Sequence, residues 1–171
     1  MPIQRLNHAV LYVRDSVRST AFYRDVLAFR VVVEFTGAAF LQAPGSTNDH
    51  DLAMFEIGSA AAESRAGKGE VGLYHLAWEV DTLAELQRLS GVLAGAGALV
   101  GSSDHHRTKS LYAKDPDGLE FEVCWIVPAD RIDEPLVNAD RRPLPLDLDA
   151  EIARYGADTL GGVGISIPAH P

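Results

Sequence analysis

The chain has 171 residues, 47% of them hydrophobic, so it is long enough to bury a real core as one medium domain or two small ones. Its net charge of -9, without a Lys/Arg cluster, excludes nucleic acids and anionic membrane surfaces as expected partners. No apolar run approaches the roughly 20 residues of a membrane span, and no signal peptide is expected. The single cysteine, Cys124, excludes an internal disulfide and a thiolate zinc cluster, which favours a reducing cytoplasm.

The chain contains an internal repeat. The segments "NHAVLYVRDSVRSTAFYRDVLAF" and "YHLAWEVDTLAELQRLSGVLAGAG" each place a histidine before a short apolar run, which is followed by a helical pattern. His8 and His75 occupy the same place in the two copies. Self-similarity of this kind predicts two copies of one supersecondary unit of about 60 residues.

The first copy reads as a strand, a helix and three further strands. Residues 6–13 are predicted as the first strand, and Asp15 or Ser16 is predicted to cap a helix that ends near Leu27. The apolar side of this helix is expected to carry Val17, Phe22, Val26 and Leu27. The three strands are predicted near 29–35, 38–43 and 51–57.

The second copy has the same order. Its first strand is predicted over 73–80, its helix over about 82–94, and its last three strands near 98–102, 109–114 and 119–126. The turn "DPDG" joins the last two strands, because Pro116 pre-sets φ and Gly118 can take a positive φ. We therefore expect a first module over 1–57, a Gly/Ala/Ser-rich linker over 58–70, a second module over 71–127, and a C-terminal extension over 128–171 with one short helix near 147–155.

Strand alternation separates the histidines and one carboxylate from the apolar faces. Successive side chains of a strand face opposite ways. Apolar faces expected to pack on the helices are Ala9, Leu11 and Val13; Tyr74, Leu76, Trp78 and Val80; and Phe121, Val123 and Trp125. His8, His75 and Glu122 then point away from the helices. Two imidazoles and one carboxylate suit a facial triad for Fe(II) or Mn(II); the alternative is three hydrogen-bonded or solvated sheet residues.

These segments, with "SLYAKDPDGLEFEV", resemble the vicinal oxygen chelate superfamily, which includes glyoxalase I, bleomycin-resistance proteins and extradiol dioxygenases. The resemblance covers about residues 3–127. It implies an α+β fold in which paired βαβββ modules form a half-open mixed β-barrel around a divalent metal. It also implies that His8, His75 and Glu122 are the metal ligands.

Two further segments, "DHHRTKSLYAKDPDG" and "NDHDLAMFEIG", are similar to small catechol 2,3-dioxygenase-like members. This resemblance implies an extradiol ring-cleaving dioxygenase that uses Fe(II), with Mn, Zn or Ni as other possible metals, an aromatic diol and O₂. It implies catalytic roles for Tyr112 and His105, with His106 as a substitute for His105; otherwise these are wall or loop residues. A homodimer is implied as well.

Three alternatives stay open. A glyoxalase I-like lyase or isomerase would use Glu56 as a fourth ligand, although the resemblance places Met54 at that position and Glu56 two residues further on the same face. A fosfomycin-resistance-type transferase is a second alternative. A non-catalytic small-molecule binder is a third, which the three ligand positions disfavour. The segment "RRPLPLDLDAEIARYG" is similar to an extension of some dioxygenase-like members, and would cover the cavity mouth or a partner subunit.

Overall fold

The computed structural model describes residue 3, residues 5–140 and residues 142–162. The chain divides into two compact units. The first consists of Met1–Arg65 and Asp115–Leu119, and the second of Ala66–Lys114 and Glu120–Pro171. Each unit holds one four-stranded mixed sheet, so the strands of the described residues form two sheets rather than one closed barrel.

The first unit follows the order β, α, β, β, β. Its elements are β1 (Ala9–Val13), α1 (Ser16–Leu27), β2 (Arg30–Phe35), β3 (Ala38–Gln42) and β4 (Leu52–Glu56). The strands lie in the order β1-β4-β3-β2, with β1 parallel to β4 and the other pairs antiparallel.

Helix α1 begins as predicted and buries Leu27 as predicted, but most of its other buried residues were not expected. Asp15 is the N-cap, and its side chain accepts a hydrogen bond from the Arg18 backbone N–H at 2.9 Å. The buried residues are Ser16, Ser19, Thr20, Tyr23 and Leu27. The prediction for Val17 was wrong, since its side chain is 67% exposed. Small polar side chains allow a helix to lie close to a sheet, a preference that a purely apolar pattern misses.

The predicted turn at residues 115–118 is confirmed, and it belongs with Leu119 to the first unit. Asp115 accepts hydrogen bonds from the backbone N–H groups of Asp117 and Leu119, both at 2.9 Å, and Gly118 has φ +81°. The Asp117 carboxylate pairs with Arg14 at 3.0 Å and with Arg18 at 2.8 Å. Burial raises the pKa of Asp115, which the two backbone donors partly oppose.

The second unit repeats the βαβββ order, which confirms the predicted fold class. Its elements are β5 (His75–Glu79), α2 (Leu83–Gly95), β6 (Leu99–Asp104), β7 (Thr108–Lys114) and β8 (Glu120–Ile126). The strands lie in the order β5-β8-β7-β6, with β5 parallel to β8. Tyr74 precedes β5 and is 71% exposed, so its expected place in the apolar face was wrong.

The C-terminal extension packs on the helix side of the second sheet. A 3₁₀ turn at Ala129–Arg131 and α3 (Glu134–Val137) precede α4 (Leu148–Tyr155), the helix that the sequence predicted. Gln87 of α2 donates to Asp149 of α4 at 2.9 Å, and the Trp125 indole N–H donates to the Thr159 carbonyl at 3.1 Å. Residue 141 and residues 163–171 of the predicted extension lie outside the described residues. Among the described helices, none has the length and apolar character to cross a membrane.

Candidate functional site

The second sheet has one buried face and one face that carries polar groups. Phe121, Val123 and Trp125 of β8 are almost fully buried, as predicted. The alternate residues lie on the opposite side, which we call the open face of the second sheet. It comprises His75, Ala77 and Glu79 of β5, Glu120, Glu122 and Cys124 of β8, and Thr108, Ser110 and Tyr112 of β7. Burial and the Glu122 carboxylate raise the pKa of Cys124 to about 12, so its thiol stays protonated at neutral pH.

His75 and Glu122 meet on this open face. His75 Nε2 lies 3.1 Å from Glu122 Oε2, and the two side chains are 23% and 12% exposed. The other oxygen, Glu122 Oε1, accepts a hydrogen bond from Ser110 Oγ at 2.5 Å. The serine therefore fixes the carboxylate so that its second oxygen faces the imidazole, as outer partners do for ligands in metal sites.

The chemistry of this pair fits a divalent metal. The imidazole nitrogen and the carboxylate oxygen lie close together, and both are ligand atoms for Fe(II), Mn(II), Zn(II) and similar ions. The other imidazole nitrogen, His75 Nδ1, is buried without a hydrogen-bond partner among the described residues, and an unpaired buried polar atom is costly. Within either unit, the described residues contain no group of three metal-ligating side chains. His75 and Glu122 can therefore supply only part of the ligand set of a metal ion.

Tyr112 and His105 stand beside the pair. Tyr112 is the cross-strand partner of Glu122, and the Tyr112 ring centroid lies 5.9 Å from that of His75. His105 Nε2 lies 2.7 Å from the Tyr112 hydroxyl oxygen. Burial, and then the Glu122 charge, raise the pKa of Tyr112, so its hydroxyl keeps its proton at neutral pH. The alternative residue, His106, has its Nε2 3.1 Å from the Arg142 carbonyl instead.

His8 belongs to the first unit, where it is exposed just before β1. Its Nδ1 lies 2.8 Å from Asn7 Oδ1, and its ring centroid is 4.5 Å from that of His50. His50 in turn has its Nδ1 3.0 Å from Asp49 Oδ2. Sequence reasoning missed His50. Parallel pairing of β1 with β4 was the available signal, because it brings the residues before each strand side by side.

The strand register corrects the position expected for a fourth ligand. Within the second unit Ala77 pairs with Glu122, and the equivalent pair in the first unit, counted from His8 as from His75, is Val10 with Ala53. Ala53 therefore occupies the position equivalent to Glu122. The prediction that placed Met54 there was wrong, because Met54 pairs with Leu11 and therefore lies on the helix side of the sheet.

Glu56 shares the parity of Met54 and contacts the start of α1. Its Oε2 accepts hydrogen bonds from the Ser16 backbone N–H and from Ser16 Oγ, both at 3.0 Å. A carboxylate at a helix N-terminus satisfies an orphan donor and interacts favourably with the helix dipole. Within the first unit, these contacts explain Glu56 by a structural role.

We expect Glu56→Gln to leave metal binding unchanged and to lower the free energy of unfolding by about 1 kcal/mol. The glutamine retains one acceptor oxygen but loses the charge that strengthens both hydrogen bonds. Metal content after reconstitution and urea unfolding measure the two effects. Loss of metal from this variant would instead favour the glyoxalase-like alternative.

The chain belongs to the Glyoxalase/Bleomycin resistance protein/Dioxygenase superfamily, whose family model matches residues 5–123. This is the vicinal oxygen chelate superfamily that the sequence resembles. The match spans both βαβββ repeats, from before β1 into β8, and leaves the C-terminal extension outside.

Relatives within the superfamily differ in activity. A catechol-2,3-dioxygenase of Bacillus subtilis (strain 168) is 30% identical over 118 residues, which cover 69% of this chain but only 40% of that protein. The chain thus spans about two fifths of that relative's length. The metallothiol transferase FosB of Lysinibacillus sphaericus (strain C3-41) is 27% identical over 144 residues, which cover 78% of this chain and 90% of that protein.

A solved structure has the same fold. A mutant of the fosfomycin resistance protein FosX from Listeria monocytogenes, complexed with Mn(II) and 1S,2S-dihydroxypropylphosphonic acid, aligns with a TM-score of 0.58 and 18% identity. The alignment covers 77% of this chain and 98% of that one. That protein thus combines this fold with a bound Mn(II) ion.

Proposed function

We propose that the protein is a metal-dependent extradiol dioxygenase that cleaves the ring of a catechol-type aromatic. The observation that carries this proposal is the Tyr112 hydroxyl, which lies across the strand pair from Glu122 and within hydrogen-bond distance of His105. Two groups that can donate or move a proton therefore stand beside the carboxylate of the candidate ligand pair.

The proposed ligands are His8 from the first unit and His75 and Glu122 from the second. The convergence of His75 and Glu122, and the equivalent place of His8 in its own repeat, support this set. Fe(II) is the proposed metal, with Mn, Zn or Ni as alternatives. When bound, the metal supplies Lewis-acid positions for the two vicinal oxygens of the substrate and for O₂.

The chain's own residues hold the site and move protons. Ser110 keeps the Glu122 carboxylate turned towards His75. When His105 Nε2 carries a hydrogen it donates to Tyr112, which leaves the tyrosine hydroxyl hydrogen for a substrate oxygen; the other tautomer of His105 accepts that hydrogen. The pair can therefore pass a proton between the substrate and the imidazole. His50 packs against His8 and limits the orientations of its ring.

Two features support an aromatic substrate and a three-residue ligand set. The side of the first sheet that carries Val10 and Tyr12 also carries ring contacts, with Phe40 centred 6.1 Å from Phe35 and 6.0 Å from Phe55. Such an aromatic surface suits a flat ring. Ala53 has no ligating atom, so this position leaves coordination open, whereas a glyoxalase I-like site would need a carboxylate there.

A fosfomycin-resistance-type transferase is the second candidate, because the similarity to FosB extends over 90% of that protein. A non-catalytic binder is disfavoured by the His75–Glu122 contact, which a binder without a metal does not need. A homodimer, proposed from the resemblance, and a cytoplasmic location, proposed from the single cysteine, remain predictions of the sequence.

One set of three activity assays distinguishes the candidate functions. Protein purified without oxygen and reconstituted with Fe(II) or Mn(II) is offered catechols with O₂, fosfomycin with low-molecular-weight thiols, and the hemithioacetal of methylglyoxal with glutathione. We expect a yellow ring-fission product from at least one catechol. Turnover of fosfomycin or the hemithioacetal alone would replace the proposal with the corresponding alternative.

A further inference from the structure

Lys109 of β7 is buried on the helix side of the second sheet, with 1% of its side chain exposed. Its Nζ lies 2.6 Å from Asp104 Oδ1 and 2.9 Å from Glu151 Oε2. The same nitrogen is 5.9 Å from the centre of the Tyr155 ring. A buried ammonium is costly unless it is paired, so Lys109 ties β6 and α4 together through one desolvated cation.

Asp104 connects this cation to the loop that carries His105. The same oxygen that binds Lys109 also accepts a hydrogen bond from the His106 backbone N–H at 2.7 Å. His106 has φ +67°, a conformation that a non-glycine residue adopts only when its surroundings hold it. The Asp104 carboxylate therefore shapes the turn in which His105 stands.

Residues 142 and 144 of the extension contact the same loop and the adjoining end of β6. The backbones of Asp104 and Leu144 exchange two hydrogen bonds, at 2.8 and 2.9 Å, so residue 144 extends the sheet at the edge of β6. The Arg142 carbonyl lies 3.1 Å from His106 Nε2. The extension thus reaches the loop directly through residues 142 and 144, and indirectly through Glu151 and Lys109.

We propose that Lys109, held between Asp104 and Glu151, is a positioning residue that aligns His105 with Tyr112, which makes the C-terminal extension part of the catalytic unit. The proposal rests on the proposed function insofar as His105 and Tyr112 act on a substrate. The coupling itself does not require a particular substrate. It requires only that the position of the His105 loop depends on Lys109 and Glu151, which lie on the helix side of the second sheet.

The test compares three full-length variants. Lys109→Met removes the cation, and Glu151→Gln removes only the charge from its partner on α4. Asp149→Asn is the matched control, because Asp149 lies on the same helix but contacts Gln87 of α2 and not Lys109. Hydrogen exchange of the backbone amides is measured on metal-free protein, and steady-state kinetics on the metal-loaded protein with the fastest catechol of the activity assays.

We expect Lys109→Met and Glu151→Gln to speed exchange at residues 104–108 by about 10-fold relative to the rest of the second unit. We also expect kcat to fall by about 10-fold while KM and metal content stay unchanged, because a displaced catalytic group slows the chemical step. Asp149→Asn should change neither quantity by more than about 2-fold. If Lys109→Met does not fold, the exchange rates and kcat of Glu151→Gln test the positioning role.

Exchange that rises equally throughout the second unit, or not at all, would overturn the positioning role and leave Lys109 a stability residue. The proposed function fails separately, when the unaltered protein turns over no catechol. Faster exchange confined to the 104–108 loop supports the coupling even in that event.

Discussion

Glu122→Ala is expected to abolish binding of the roughly one divalent metal per chain that the proposed site holds. Glu122 supplies the one carboxylate of the proposed set, and its Oε2 lies 3.1 Å from His75 Nε2. Loss of a charged ligand leaves two neutral imidazoles, which bind Fe(II) or Mn(II) weakly. Metal analysis after anaerobic reconstitution and gel filtration measures the effect.

Glu120→Ala is the matched control for this prediction. Glu120 lies on the same strand and the same open face, and it acts on Tyr74, whose pKa its hydrogen bond and charge raise. We expect this variant to keep its metal. Full occupancy in Glu122→Ala, or loss of metal from Glu120→Ala alone, would show that the ligand assignment on β8 is wrong.

Tyr112→Phe is expected to slow turnover on the order of 10²–10³, since removal of one donor to charge that develops in a transition state has this effect. Only a hydroxyl is removed, so folding and metal content should be unchanged. The raised pKa of Tyr112 means that the hydroxyl is a donor throughout the neutral range, so the defect should not be relieved between pH 6 and 8. Single-turnover kinetics with a catechol measures the effect.

Tyr74→Phe is the control for Tyr112→Phe. The Tyr74 ring also lies near His75, with 4.5 Å between centroids, but the residue is exposed and bonded to Glu120. The turnover of Tyr74→Phe should stay within about 3-fold of that of the unaltered protein. His105→Gln should slow turnover as well, and by less when Tyr112 is already phenylalanine, because the two residues share a hydrogen bond. Normal turnover in Tyr112→Phe would show that the tyrosine hydroxyl has no part in the chemistry and that the residue only lines the site.

The repeat and the alternation of β8 were sufficient to predict which side chains of β5 and β8 share the open face of the second sheet. Both features follow from local rules, since a strand with Phe121, Val123 and Trp125 on one face must place Glu122 on the other. The tight "DPDG" turn fixed the pairing of β7 with β8 and hence the place of Tyr112. The structure confirms each of these local inferences.

The errors arose where a side chain's face depends on a long-range partner. The resemblance favoured Met54 or Glu56 as the equivalent of Glu122, whereas the register of β1 with β4 shows that the equivalent is Ala53. The sequence analysis did not single out Lys109, which is almost fully buried. Its burial depends on Glu151 of the extension, a partner that no local pattern on β7 indicates.

Oxygen consumption by the Fe(II)-loaded protein is the most direct test of the proposed function. A catechol that yields a yellow product is added in limiting amount, and O₂ uptake is measured together with the mass of the product. The proposal predicts one O₂ consumed for each catechol, and a product whose mass equals that of the substrate plus both oxygen atoms. Absence of O₂ uptake with every catechol tried, or uptake that yields only the quinone, would contradict it.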